Sequence, residues 1–187
     1  INFVTPSHYV PQMLEALPIA IGGGLRIPLL YNTSGYDRVE TLRLLEGVID
    51  IYLPDAKYTD DAVARRLSGF VDYVAHNRAA LIEMHRQVGS DLLLDEQGIA
   101  ARGMVVRHLV LPHGLSQTAE VLRWLAENLS PHIYVSLMAQ YFPAYKLVDD
   151  LELGRGITLD EYEAALDAFD AAGLENGWKQ EHELEKY

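Results

Sequence analysis

Short, continuously apolar runs of valine, isoleucine, leucine and tyrosine alternate along this chain with longer stretches of helical period. That alternation dictates strand–helix units and a parallel sheet, because a strand covered on both faces has no polar side to show. The predicted strands are Ile1–Val4, Ile27–Tyr31, Val48–Leu53, Met104–Leu111 and Ile133–Met138. Between them the spacing predicts Pro11–Ile21, with proline in its first turn and Gly22-Gly23-Gly24 as its stop. Val39–Glu46 follows, with Val39, Leu42 and Leu45 on one face, then Asp60–Leu67 behind Thr59 as N-cap. Phe70–Val88, Ala119–Leu129 and Leu159–Ala172 complete the set, the last opening on the capping box Thr158-x-x-Glu161. A chain of 187 residues built this way makes one α/β domain over 1–187, with a polar, solvated tail from about Glu175.

Composition narrows the chemistry. The formal net charge of −12 argues against a nucleic-acid surface, which needs clustered lysine and arginine. No apolar stretch reaches bilayer length and no basic-then-apolar leader is present, so the expected setting is cytoplasmic, without membrane contact. There is no cysteine, which excludes a disulfide, a thiol nucleophile or a thiolate-held zinc or iron–sulfur site within these residues. The histidines, His108-x-x-x-x-His113 included, lack the spacing of a metal site. Gly22-Gly23-Gly24 follows a helix rather than a strand and is no phosphate loop, and no Gly-x-Ser-x-Gly elbow occurs.

In parallel α/β folds, ligands lie beyond the carboxyl ends of the strands. Those ends carry Thr5, Ser7 and His8; Asn32, Thr33, Ser34 and Gly35; Asp55 and Lys57; Arg107, His108, His113 and Gly114; and Gln140 and Tyr141. Two features stand out. Asp55-x-Lys57 closes a buried strand, and alternation puts both side chains on one side, where they can meet a hydroxyl, a carboxylate or an amine, or merely each other. Arg107 interrupts an apolar strand, and a guanidinium there needs an acceptor, either Asp55 or a ligand.

The phrases Tyr31-Asn32-Thr33-Ser34-Gly35-Tyr36, Leu53-Pro54-Asp55-Ala56-Lys57-Tyr58 and Val106-Arg107-His108-Leu109-Val110-Leu111-Pro112 together resemble radical S-adenosylmethionine proteins. The nearest branch is the uncharacterised relatives of pyruvate formate-lyase-activating enzyme, which also show phrases like Asn2 to Pro11 and Ala139 to Pro143. The resemblance runs from Asn2 to about Gly177 and implies a partial (β/α)6 barrel, TIM-barrel-like, with S-adenosylmethionine across its strand ends. It implies that Asp55, Lys57 and Arg107 contact that cofactor, with Asn32 and Thr33 in the adjoining turn and Thr5, His8 and Gln140 as secondary candidates.

By the same resemblance, a reduced [4Fe–4S] cluster would cleave S-adenosylmethionine to a 5′-deoxyadenosyl radical for hydrogen abstraction. A flavodoxin-like electron donor would serve it, and a glycyl radical enzyme or other protein would be the target. Asn32 stands where the family turn has an acid, and Thr5-Pro6-Ser7-His8 stands in place of a Gly-Gly-Glu phrase. The Cys-x-x-x-Cys-x-x-Cys loop is absent; in the family it precedes the segment where this chain begins. The implied state is a barrel lacking its first strand–helix unit, inactive alone, with an open edge at Ile1–Val4 that a homodimer or the tail would cover. Two other classes stay open: a (β/α)-barrel lyase or isomerase using Lys57 as base or Schiff-base amine, and a non-catalytic scaffold.

Overall fold

The computed structural model describes residues 1–180. Its strands are β1 (Asn2–Val4), β2 (Leu30–Thr33), β3 (Ile51–Pro54), β4 (Leu93–Leu94), β5 (Ala100–Leu109), β6 (Tyr134–Met138) and β7 (Asn176–Lys179). Its helices are α1 (Val10–Gly22), α2 (Val39–Arg43), α3 (Asp61–Ser68), α4 (Tyr73–Val88), α5 (Thr118–Asn128) and α6 (Leu159–Ala171). Six strands run parallel in the order β1-β2-β3-β5-β6-β7, and β4 pairs antiparallel with β5. The sheet is open, with β1 and β7 as its two edges. Among the described residues, no helix is long and apolar enough to cross a membrane.

Local chemistry explains the starts of three helices. α6 starts on the expected capping box, in which Thr158 Oγ1 accepts from Glu161 N and Glu161 Oε2 accepts from Thr158 N. The cap of α3 is Asp60 rather than Thr59, since its carboxylate accepts from Ala62 N and Val63 N. Helix α4 begins at Tyr73 instead of Phe70, because Asp72 takes a left-handed turn with φ 53°. Phe70, expected inside that helix, stacks on Tyr36 with ring centroids 4.5 Å apart.

The polar tail is the larger correction. Asn176–Lys179 forms β7, which pairs in register with β6 from Tyr134↔Asn176 to Leu137↔Lys179. Gly177 makes this close approach feasible, since a Cβ there would collide with the Val135 carbonyl. Asn176–Lys179 therefore sit beside β6 rather than β1, whose outer side has no strand partner among the described residues; the rest of the expected tail, residues 181–187, lies outside them.

The two faces of the sheet are not equally covered, contrary to the expectation from continuous apolar strands. Tyr31, Tyr52, Met104, Val106, Val135 and Leu137 are fully buried and cluster with Leu42, Leu45, Leu81, Met84, Leu122 and Leu125 of the connecting segments. On the opposite face Ile51, Val105 and Met138 are buried, but Leu30, Asn32, Leu53, Arg107 and Ser136 are only part-buried. That second face carries the polar groups.

Candidate functional site

Register and alternation assemble the site. Paired neighbours in a sheet share a face, and so do residues two apart on one strand. Asn32 pairs with Leu53, which puts Asp55, two residues on, on the same side; an isolated bridge then pairs Asp55 with Arg107. Arg107 pairs with Ser136, which adds Met138 and Gln140 to the row, while Leu109 continues it along β5. At the carboxyl ends of β3, β5 and β6 these residues line an open cavity of about 360 Å³ with Asp55, Lys57, Arg107, Leu109, Met138 and Gln140, rimmed by Tyr141 and Phe142.

The charged groups form a chain. Lys57 Nζ lies 2.8 Å from Asp55 Oδ2, and Arg107 Nη1 lies 3.6 Å from Asp55 Oδ1. At that separation Arg107 attracts Asp55 Oδ1 without hydrogen-bonding it, and this buried oxygen has no hydrogen-bond partner. Arg107 spends Nη1 on Asn32 Oδ1 at 3.1 Å and directs Nη2 to Met138 Sδ at 3.7 Å. The wall beyond is sulfur, aliphatic and aromatic. Such a site offers a buried acceptor, two cations and an apolar plane, which suits a ligand carrying donors, an anionic group and a flat ring.

The turn that presents the acid and the amine is held from behind. Asn77 Nδ2 donates to the Asp55 carbonyl at 2.9 Å and to the Gly35 carbonyl at 3.0 Å. Tyr73 Oη accepts from Lys57 N at 2.9 Å, and burial raises its pKa far enough to keep the hydroxyl protonated. His108, wholly buried, bonds the Ala56 carbonyl through Nδ1 at 2.6 Å and Thr118 Oγ1 through Nε2 at 2.9 Å. Desolvation pushes its pKa down to about 4, so the ring is neutral, with Nδ1 donating and Nε2 accepting.

The sequence candidates divide accordingly. Asp55, Lys57, Arg107 and Gln140 line the cavity, and Asn32 reaches it through Arg107. Thr33 points to the other face, where its hydroxyl donates to Asp37 Oδ2 at 2.5 Å. Thr5 supports the Asn32 backbone through its N–H at 2.8 Å, and His8 is exposed with its ring against Tyr9. None of these three lines the cavity. Sequence reasoning missed Asn77, a polar residue inside a helix, and Asp37, which gathers the hydroxyls of Ser7, Tyr31 and Thr33. Among the described residues, no three His, Cys, Asp or Glu side chains converge to hold a metal ion.

No family model matches the chain. Comparison with curated proteins finds 29% identity over 179 residues with an uncharacterized protein of Methanocaldococcus jannaschii, across 94% of this chain. The chain spans 47%, about half, of that relative's length.

Proposed function

We propose that this chain is the S-adenosylmethionine-binding portion of a radical S-adenosylmethionine protein, set in a partial (β/α) barrel and working in the cytoplasm. The observation that carries the reading is the convergence of a hydrogen-bond-free Asp55 oxygen with Lys57 and Arg107 beside an apolar and aromatic wall. The strand order favours a barrel wall, because each parallel crossover steps one place in the same direction instead of reversing midway.

S-adenosylmethionine suits this donor set. The Asp55 carboxylate would accept from a ribose hydroxyl or the methionyl ammonium, while Lys57 and Arg107 would hold the carboxylate of the cofactor. Tyr141, Phe142 and Leu109 would flank the adenine. When bound beside a reduced iron–sulfur cluster, this cofactor supplies a hydrogen-abstracting radical. A cluster finds no ligands here, since the sequence has no cysteine, and it would have to be held by residues other than these. A glycyl radical enzyme as target, and a flavodoxin as electron donor, belong to the same proposal as the whole protein's partners.

Saturation-transfer NMR with S-adenosylmethionine tests the reading, because it detects weak binding by the 187-residue chain alone. Saturable transfer that Asp55→Ala and Arg107→Ala each abolish is the expected result. Absence of transfer at millimolar ligand, or transfer indifferent to both substitutions, overturns it.

A further inference from the structure

We infer that Asn77 is the positioning residue of the candidate site, setting the Asp55–Lys57 pair through the peptide that joins Asp55 to Ala56. The inference rests on reading the cavity as a ligand site, and it concerns how that site is kept in shape. Asn77 is 4% exposed, and its side-chain amide donates to two backbone carbonyls. One belongs to Asp55 at 2.9 Å and the other to Gly35 at 3.0 Å. An amide nitrogen has two hydrogens, so both donors are spent and both carbonyls satisfied.

The two carbonyls lie in different loops. Gly35 belongs to the turn after β2, three residues beyond the Asn32 side chain that accepts from Arg107. Asp55 begins the turn after β3 that ends in Lys57. A single side chain on α4 thus ties the turn that supplies Asp55 and Lys57 to the loop that follows β2, the strand carrying Asn32. One helical turn earlier, Tyr73 receives Lys57 N, so α4 grips the Asp-x-Lys turn at both ends.

Gly35 completes the clamp. Its φ of 70° is one that glycine accepts readily, and a Cβ there would run into both the Asn77 amide and the Asp55 carbonyl. Without the amide, two buried carbonyls lose their donor, and the cheapest remedy is to rotate them toward water. Rotation of the Asp55 peptide would swing Lys57 off the carboxylate.

The test needs a readout that ordinary destabilisation leaves alone. The chain has four lysines, so reductive ¹³C-dimethylation, which keeps their charge, gives a sparse NMR spectrum in which Lys57 is assigned by substitution. Asn77→Ala is expected to shift the Lys57 signal in the direction that Asp55→Ala shifts it. The remote cap variant Thr158→Ala is expected to leave it in place. If Asn77→Ala does not fold, Asn77→Ser, whose hydroxyl carries one donor for two carbonyls, takes the same measurement. A Lys57 signal unmoved by either Asn77 substitution overturns the inference.

Affinity for S-adenosylmethionine gives the second arm. Asn77→Ala should weaken binding about tenfold in the wild-type background and add nothing when Asp55 is already alanine. Equal losses in both backgrounds would sink the positioning role. Should the wild-type chain not bind S-adenosylmethionine, the proposed function falls, while the lysine signal still decides the role of Asn77.

Discussion

His108 illustrates how one side chain in this protein couples ionisation to folding. Its imidazole is neutral in the native state, with pKa pushed down from 6.5 to about 4 by burial. The unfolded ring takes up a proton as pH falls below 6.5 while the native ring refuses it, so stability present above 6.5 drains away as pH approaches 4. The gap corresponds to a loss on the order of 3 kcal/mol. His85, also depressed by desolvation, acts in the same direction. Glu83 and Glu161, lowered to about 2 chiefly by Arg86 and Arg155, titrate at lower pH and leave this window to the histidines. Urea midpoints measured from pH 7 to pH 4.5 should fall steadily in the wild type and less steeply in His108→Gln; parallel curves would contradict the assignment. At this scale much of the candidate site was legible. Asp55-x-Lys57 closes one apolar strand and Arg107 interrupts another, and strand alternation places such residues on one face. Asn77 and Asp37 were not legible, because a polar residue in a helix or loop gives no local sign that tertiary contacts will bury it.

Among the elements, α6 shows how a cap can serve more than its own helix. Glu161 accepts from Thr158 N, receives both Arg155 Nη1 and Nη2 at 2.7 Å, and accepts from His113 N at 2.7 Å. The last bond ties the helix start to the turn after β5, where His113 takes φ 57°. Thr158→Ala removes one side-chain cap and should cost about 1 kcal/mol. Glu161→Ala removes partners from three groups and should lower the thermal midpoint by more than Thr158→Ala does. Equal shifts in a melting experiment would show that the bonds beyond the helix carry no weight. The Thr158-x-x-Glu161 spacing announced the cap, but Arg155 and His113 joined it only through tertiary structure.

The strands were legible to different degrees. β6 agrees with its apolar run to within a residue, whereas β2 starts at Leu30 instead of Ile27, beyond Pro28, which has no N–H for a ladder. β4 was missed although Asp95-Glu96-Gln97-Gly98 marks its turn, with Asp95 Oδ1 accepting from Gln97 N and Ile99 N. β7 has no apolar run to betray it; the β6 backbone and Gly177 make it a strand.

Taken as a whole, the molecule is a sheet with a buried helical side, a part-open polar side and two edges. A parallel sheet of this order directs its cavity to the carboxyl ends of the middle strands, and the polar groups gather there. The flank of β1, without a strand partner among the described residues, has a consequence for behaviour in solution. Val4 on that strand and Ile1 just before it are exposed, at 65% and 49%, so copies of the chain have a surface on which to meet. A charge of −12 on each opposes that meeting. Raising sodium chloride from 0.1 M to 1 M shrinks the reach of that repulsion from about 10 Å to about 3 Å. Sedimentation velocity should therefore register a larger apparent mass at high salt, reduced by Val4→Lys. A mass independent of salt would mean that the flank is sealed by something other than charge. On that expectation the chain would behave as a charge-stabilised colloid, its dispersal set by the ionic strength around it as well as by its fold.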